Sequence, residues 1–189
     1  MAHEQTLTVL GISGSLRKGS YNTAALRAAQ ELAPPGMAIE TIGISALPLY
    51  NEDVRAAGFP PAVQELRRRI AAADALLFVT PEYNYSMPGV LKNAIDWASR
   101  PPDQPFNDKP VAIMGASPGM IGTARAQYHL RQSCVFLNMH VLNKPEVMIA
   151  NAASRFDAEG RLTDEATRGF IRDLLTALAA WTKRLRGEQ

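Results

Sequence analysis

The sequence predicts an α/β fold: an open, doubly wound parallel sheet of five strands in the order 2-1-3-4-5, with helices on both faces. Apolar runs of strand length alternate along the 189 residues with longer segments of helical period. No internal repeat, low-complexity tract or linker interrupts this alternation. The length suits one domain with a substantial core, so we expect residues 1–189 to form a single domain.

Five segments have the composition of strands. The first, Thr6 to Ile12, is rich in branched apolar residues, and the second, Met37 to Ile44, alternates apolar and polar residues. The third, Ala75 to Thr80, is continuously apolar, which is typical of a strand covered on both faces. The fourth is expected over Val111 to Ala116, and a fifth within Val141 to Ile149.

Segments of helical period separate these strands. We expect helices over Ser20 to Leu32, from Pro60-Pro61 onward, over Gly89 to Ser99 and over Ile121 to Phe136. Two stretches, Leu47 to Phe59 and Ala150 to Leu162, are predicted to be irregular. Trp97, in the third of these helices, is predicted to lie in the core.

The last helix is amphipathic. Thr163 is its expected N-cap, acidic Asp164 and Glu165 lie in its first turn, and basic residues lie near its end, as the helix dipole favours. Its predicted inward face consists of Ala166, Phe170, Leu174, Leu178, Trp181 and Leu185.

Composition excludes several function classes. Lys and Arg number 20 and Asp and Glu 18, so the net charge of +2 argues against a strongly basic nucleic-acid binder. The single cysteine, Cys134, excludes a disulfide framework and a cysteine-rich zinc site. No apolar run reaches the roughly 18 residues of a membrane span, and residues 1–5 lack the features of a signal peptide. We therefore expect a cytoplasmic protein without a membrane span.

The loop after the first strand has the chemistry of a phosphate site. It runs directly into a helix, whose N-terminal N–H groups attract anions. Arg17 and Lys18 add positive charge, and hydroxyl and amide donors come from Ser13, Ser15, Ser20, Asn22 and Thr23. The glycine spacings of P-loop and dinucleotide-binding motifs are absent. An ordinary turn, with Ser20 as a helix cap, explains the same residues about equally well.

The loops after strands 3 and 4 are suited to a planar ring. The segment Pro81 to Gly89 combines prolines, two tyrosines and an asparagine, so that it offers aromatic faces on a stiff loop. Tyrosines that pack on the protein surface, or at a subunit interface, are the alternative interpretation. After strand 4, the hydroxyl of Ser117 is a hydrogen-bond donor, and Gly119 permits a close backbone approach.

These motifs resemble those of the NADPH-dependent FMN reductase family, flavodoxin-like proteins that include quinone and chromate reductases. The resemblance runs in order from about Leu7 to Arg184, and its longest motif covers Pro81 to Trp97. It implies an FMN site made by Ser15, Arg17, Ser20, Tyr21, Asn22, Pro81, Glu82, Tyr83, Asn84, Tyr85, Ser117 and Gly119. Where the family often has a glycine pair, this sequence has Gly122-Thr123, and threonine is less free in φ.

The resemblance also implies the chemistry. Hydride passes from NADPH or NADH to FMN, and electrons then pass to quinones or to other acceptors such as chromate, azo compounds or free flavin. Donor and acceptor are expected to use one flavin face in turn, with ping-pong kinetics and no dedicated catalytic side chain. Members of the family form homodimers or homotetramers, and Arg125, Tyr128 and Gln132 share a helix face suited to a polar interface.

Two other functions remain open at this stage. A flavodoxin-type FMN electron carrier would serve a protein partner, although the charge of +2 does not suggest its acidic docking surface. A flavin-free regulatory domain could retain the fold, although the intact phosphate loop argues against it. No residue of the sequence can be assigned to the 2′-phosphate, so preference for NADH or NADPH is open, as is the physiological acceptor.

Other conspicuous residues have structural interpretations. His129 and His140 lack partners at metal-ligand spacing, so no metal site is predicted. Cys134 is predicted to be a core residue. We expect Arg67–Arg69 to form a solvated helix face and Arg100 to pair at the surface.

Overall fold

A parallel sheet forms the centre of the computed structural model, which describes residues 6–187. Its strands are β1 (Leu7–Ser13), β2 (Met37–Ile42), β3 (Ala75–Val79), β4 (Pro110–Ala116), β5 (His140–Val141) and β6 (Val147–Ile149). They are ordered β2-β1-β3-β4-β5, and β6 also pairs with β4. The predicted fold class and strand order are thus confirmed. The prediction that residues 1–5 lack a signal peptide falls outside the described residues.

The predicted fifth strand is divided in two. β5 pairs with Pro110 and Val111 of β4, whereas β6 pairs with Met114 to Ala116 farther along the same strand. Pro145 lies in the intervening segment. Because proline has no N–H, it cannot donate a ladder hydrogen bond, and the chain leaves the sheet before it rejoins.

Within residues 6–187 the strands are accompanied by six α-helices. They are α1 (Tyr21–Glu31), α2 (Glu52–Ala56), α3 (Pro61–Ala72), α4 (Gly89–Ala98), α5 (Ala124–Phe136) and α6 (Glu165–Leu185). α2 and a 3₁₀ turn at Ala152–Ser154 correct the prediction that residues 47–59 and 150–162 are irregular. α5 begins three residues later than predicted because Gly122, at φ +60°, has left the right-handed helical region. No helix within residues 6–187 is long and apolar enough to cross a membrane.

The sheet separates two hydrophobic cores. Leu77 and Val79 of β3 pack with residues of α1 and α6, whereas Leu76 and Phe78 pack with residues of α3, α4 and α5. This arrangement explains the continuous apolar run of β3, since both faces of the strand are buried. Trp97 is fully buried, as predicted, and its Nε1 donates to the carbonyl oxygen of Pro48 at 2.8 Å.

The inward face of α6 differs from the prediction. Leu174 and Leu178 are buried, but Ala166 and Phe170 are exposed, and Leu185 is 37% exposed. Steps of four residues rotate a position by about 40° around a helix, so both ends of the predicted stripe leave the core face. The buried stripe is Thr167, Ile171, Leu174, Leu175, Leu178 and Thr182. The N-cap is also one residue later, because the Asp164 carboxylate accepts from the Thr167 N–H at 2.9 Å.

The arginines of α3 are not simply solvated. Arg67 donates to four carbonyl oxygens at the end of α4 and in the chain that follows it, those of Ala98, Arg100, Pro102 and Asp103. Partial burial lowers the pKa of its guanidinium. Arg68 and Arg69 do pair at the surface, with Glu65 and Glu40. The prediction of a solvated face is therefore wrong for Arg67, which holds the loop after α4 against α3.

Candidate functional site

Three loops meet at the carboxyl edge of the sheet. They follow β1, β3 and β4, and they enclose a cleft of about 440 Å³. Its lining residues are Ser15, Arg17, Ser20, Tyr21, Asn22, Pro81, Glu82, Tyr83, Ala116, Ser117 and Pro118. Nine of the twelve residues assigned by the resemblance are among them. Asn84, Tyr85 and Gly119 lie in the same loops beyond the lining, and Ala116 and Pro118 were missed although they flank Ser117.

The first loop ends in a capped helix. The Ser20 hydroxyl is buried and accepts from the N–H groups of Asn22 at 3.1 Å and Thr23 at 3.4 Å. The helix-cap interpretation is therefore correct for this oxygen, although the hydroxyl retains a hydrogen to donate. Arg17 is exposed, and its guanidinium carbon lies 5.6 Å from the centre of the Tyr21 ring. Among residues 6–187 it has no carboxylate partner, so its charge faces the mouth of the cleft.

Asn22 joins the first loop to the third. Its side chain is buried, and its carboxamide donates to the carbonyl oxygen of Ala116 at 2.9 Å and accepts from the Ala116 N–H at 2.8 Å. Both polar atoms of the carboxamide are thus engaged by the end of β4. Asn22 therefore aligns the loop after β1 with the loop after β4, and it also lines the cleft.

The third strand is followed by a tight hairpin turn. Tyr83 and Ser86 exchange two backbone hydrogen bonds, at 2.9 and 3.0 Å, across Asn84 and Tyr85. Both central residues have positive φ, +50° and +67°, as a type I′ turn requires. Asparagine tolerates this region, whereas a tyrosine there is strained. The asparagine was the sequence signal for this turn, and both tyrosines of the turn are exposed, with Tyr83 in the lining of the cleft.

Glu82 is turned away from the cleft's centre. Its carboxylate accepts from the N–H groups of Arg125 at 3.0 Å and Ala126 at 3.2 Å, and from the Arg125 guanidinium at 3.3 Å. The first turn of α5 lacks a local side-chain cap, because the hydroxyl of Thr123 makes no capping bond. Glu82 therefore supplies the cap from another loop. The Arg125 guanidinium also lies 3.7 Å from the centre of the Tyr85 ring.

The third loop accommodates threonine where a glycine pair is frequent in the family. Gly122 has φ +60° and its neighbour Thr123 has φ −123°, so only the first position needs a glycine. Thr123 is buried and accepts from the Gln127 side-chain amide at 3.1 Å. Gly115, at the end of β4, allows another close approach, because a Cβ there would lie 2.1 Å from the Thr80 carbonyl oxygen.

The described histidine and cysteine side chains have structural surroundings. No group of three His, Cys, Asp or Glu side chains within residues 6–187 could hold a metal ion. The nearest partners of the histidines are Ser86 for His129 and Asp108 for His140. Burial raises the pKa of the Cys134 thiol to about 12, so that it stays protonated near neutral pH and serves as a core residue.

Comparison with known proteins identifies the family. A profile described as NADPH-dependent FMN reductase matches residues 7–154. The chain is 68% identical to an NAD(P)H-dependent FMN reductase of Pseudomonas aeruginosa over 181 residues, which cover 96% of this chain and 98% of the relative. It is 45% identical to a quinone reductase of Escherichia coli over 185 residues, 96% of this chain and 98% of the relative.

A solved structure gives the same result. The chain resembles FerB of Paracoccus denitrificans, a flavoenzyme described as an NAD(P)H:(acceptor) oxidoreductase, with a TM-score of 0.86 and 40% identity. The similarity covers 94% of this chain and 98% of FerB. The profile match, the two relatives and this fold similarity all agree with the motifs around the cleft. The chain belongs to the NADPH-dependent FMN reductase family.

Proposed function

We propose that the cleft binds FMN and that the protein is an NAD(P)H-dependent oxidoreductase whose acceptors are quinones. One observation carries the proposal: a single cleft connects the N-terminus of α1 to the loop after β3, which contributes Pro81 and Tyr83 to its lining. The names of the relatives support the assignment, since they include an FMN reductase and quinone reductases.

The residues of the cleft fit FMN. A terminal phosphate carries about two negative charges. Such an anion suits the N–H groups at the start of α1, the hydroxyls of Ser15 and Ser20, and the unpaired guanidinium of Arg17. A flat heterocycle suits the apolar edge of Pro81 and Tyr83, with the Ser117 hydroxyl opposite. Among the described lining residues Glu82 alone is acidic, and its charge is engaged by the N–H groups at the start of α5.

The protein's part in the reaction is binding and orientation. Bound FMN would supply the redox chemistry, namely acceptance of a hydride from NADPH or NADH and delivery of two electrons to an acceptor. Arg17 and the start of α1 hold the phosphate, while the Tyr83–Ser86 hairpin fixes one edge of the ring site. The Glu82 carboxylate caps α5, so we assign it no role in proton transfer. We propose that nicotinamide and acceptor use the open side of the cleft in turn, which predicts ping-pong kinetics.

Spectroscopy and turnover test this function together. The purified protein is expected to be yellow, to bleach on addition of NADPH or NADH, and to oxidise the coenzyme continuously when benzoquinone is added. Chromate, an azo dye and free FMN are the further acceptors to compare. Failure to bind added FMN would overturn the proposal. The alternative of a flavodoxin-type carrier would show itself as a yellow protein that oxidises neither coenzyme.

A matched pair of variants locates the phosphate. We expect Arg17→Gln to raise the dissociation constant of FMN about tenfold or more, because a charged hydrogen bond to the phosphate is lost. Arg172→Gln, a control on the exposed face of α6, removes a cation outside the cleft and is expected to leave FMN affinity unchanged. Fluorescence titration of the apoprotein with FMN measures both, and equal affinities would contradict the assignment of Arg17.

We also propose that the protein acts in the cytoplasm as a homodimer or homotetramer on small molecules, without nucleic acid. α5 has three exposed apolar or aromatic side chains, Tyr128, Val135 and Phe136, with Phe136 85% exposed. Arg125, expected at a subunit interface, is occupied by Glu82 and Tyr85 of its own chain. We therefore expect a Tyr128→Ala/Phe136→Asp double variant to dissociate the assembly in sedimentation velocity, whereas Arg125→Ala has the smaller effect.

A further inference from the structure

A second cavity lies on the other side of the loop after β1. It encloses about 350 Å³ between that loop, α1 and the carboxyl end of β2, which is within the range of small-molecule sites. Ser15 and Arg17 line both this cavity and the flavin cleft. The two spaces are therefore separated by a single loop, and a molecule that enters one has a short path to the other.

The rim of the second cavity is cationic. Arg17, Lys18 and Arg27 line it, and no acidic side chain is among its described lining residues. Within residues 6–187 none of the three has a carboxylate partner: Arg17 lies against the Tyr21 ring, and Arg27 donates to the carbonyl oxygen of Gly160 at 3.5 Å. Three cations without counter-charges attract an anion and repel one another until it binds.

The floor of the cavity is apolar. Leu26 and Ile44 are buried, and Ile42 is partly buried beside them. The hydroxyls of Thr41 and Ser45 stand at the edge of this surface, and both residues are exposed. An apolar surface with hydroxyls at its margin and cations at its mouth suits a planar base, a sugar and a phosphate in that order.

We propose that this cavity binds the adenosine phosphate half of NADPH, with the 2′-phosphate held by Lys18 and Arg27. The inference rests on the proposed function, because it assigns a second part of the coenzyme to that same reaction. It also supplies a discriminating contact between coenzymes, since NADH lacks the 2′-phosphate. Arg17 serves the FMN phosphate, and two further cations remain for a second phosphate.

The charge distinguishes NADPH from the other adenine dinucleotide that could reach the cavity. In FAD a phosphoanhydride bond joins the adenosine phosphate to the flavin phosphate, so each phosphate has one negative charge. The 2′-phosphate of NADPH is a monoester with about two. Lys18 and Arg27 together match the monoester, which is why we favour the nicotinamide coenzyme over FAD as the source of the adenosine phosphate.

Steady-state kinetics with two hydride donors tests the proposal. The donors are NADPH and reduced nicotinamide mononucleotide, which carries the same ring but no adenosine, and the readout is the ratio of their kcat/KM values with benzoquinone. We expect Lys18→Gln and Arg27→Gln each to lower this ratio about tenfold, because each removes a charged contact to the phosphate. Arg172→Gln is the matched control and should leave the ratio unchanged.

The outcomes separate this proposal from the function on which it rests. Turnover by the wild type with neither donor means that the proposed function is wrong. Turnover with both donors, but with equal ratios in the wild type and in the Lys18 and Arg27 variants, overturns the adenosine site alone. A third arm titrates the apoprotein with FAD and FMN. Tighter binding of FAD than of FMN, lost in the two variants, would assign the cavity to FAD and likewise overturn the NADPH proposal.

Discussion

The loops after β1 and β3 border the same cleft, but they are held in different ways. The first is tied to the end of β4 by Asn22, a buried and uncharged side chain with two hydrogen bonds to one residue, Ala116. The second is tied to the start of α5 by the Glu82 carboxylate and by contact between Tyr85 and a guanidinium that is 41% exposed. The Asn22 attachment is buried and uncharged, whereas the Glu82 attachment is charged and partly exposed to solvent.

This difference shows where the cleft's geometry originates. Both attachments end on the segment from β4 to α5, so the third loop is the common reference for the other two. The two buried hydrogen bonds between the Asn22 carboxamide and Ala116 favour one geometry, because breaking them leaves a backbone N–H and a carbonyl without partners. A charged attachment near solvent is weaker and sensitive to ions. We therefore expect the phosphate end of the cleft to be stiffer than the ring end.

The largest effect is expected from Asn22→Ala. It leaves the Ala116 N–H and carbonyl without their partner in a buried place, at a cost of about 3 kcal/mol in the free energy of unfolding. Urea-induced unfolding measures this change. Gln30→Ala is the matched control, because it removes a single part-buried hydrogen bond, from the Gln30 side-chain amide to the Ile39 carbonyl oxygen, and should cost less than about 1 kcal/mol. Equal effects would show that the Asn22 attachment is not special.

An intermediate effect is expected from Glu82→Gln. The amide keeps an acceptor for the α5 N–H groups but loses the charge that favours a helix N-terminus and Arg125, so we expect a loss of about 1 kcal/mol. Because this loss is electrostatic, it should shrink in 1 M KCl, whereas the loss caused by Asn22→Ala should not. Urea unfolding of both variants at low and high salt makes the comparison. A Glu82→Gln effect that does not depend on salt would remove the distinction between the loops.

The contrast also explains what the sequence could predict. The alternation of apolar and helical segments was enough for the sheet order, and the loops at its carboxyl edge were correctly located because parallel strands end there together. The two attachments could not be predicted from local sequence, because Asn22 and Ala116 are 94 positions apart and Glu82 and Arg125 are 43 apart. Local composition indicates that Ser20 caps its own helix, but it does not indicate that α5 is capped from another loop.

The smallest loss of stability is expected at the hairpin of the ring end. Tyr85 has φ +67°, a region that costs a residue with a Cβ about 1 kcal/mol relative to glycine, and its ring contacts Arg125. Tyr85→Ala loses the ring contact, worth about 0.5–1 kcal/mol, and keeps the strain. Tyr85→Gly loses the same contact but relieves the strain, so we expect it to be about 1 kcal/mol more stable than Tyr85→Ala in urea unfolding. Asn84→Gly is the control: asparagine already tolerates its φ of +50°, and the change should be slight. If the Ala and Gly variants were equally stable, the backbone at Tyr85 would carry no strain.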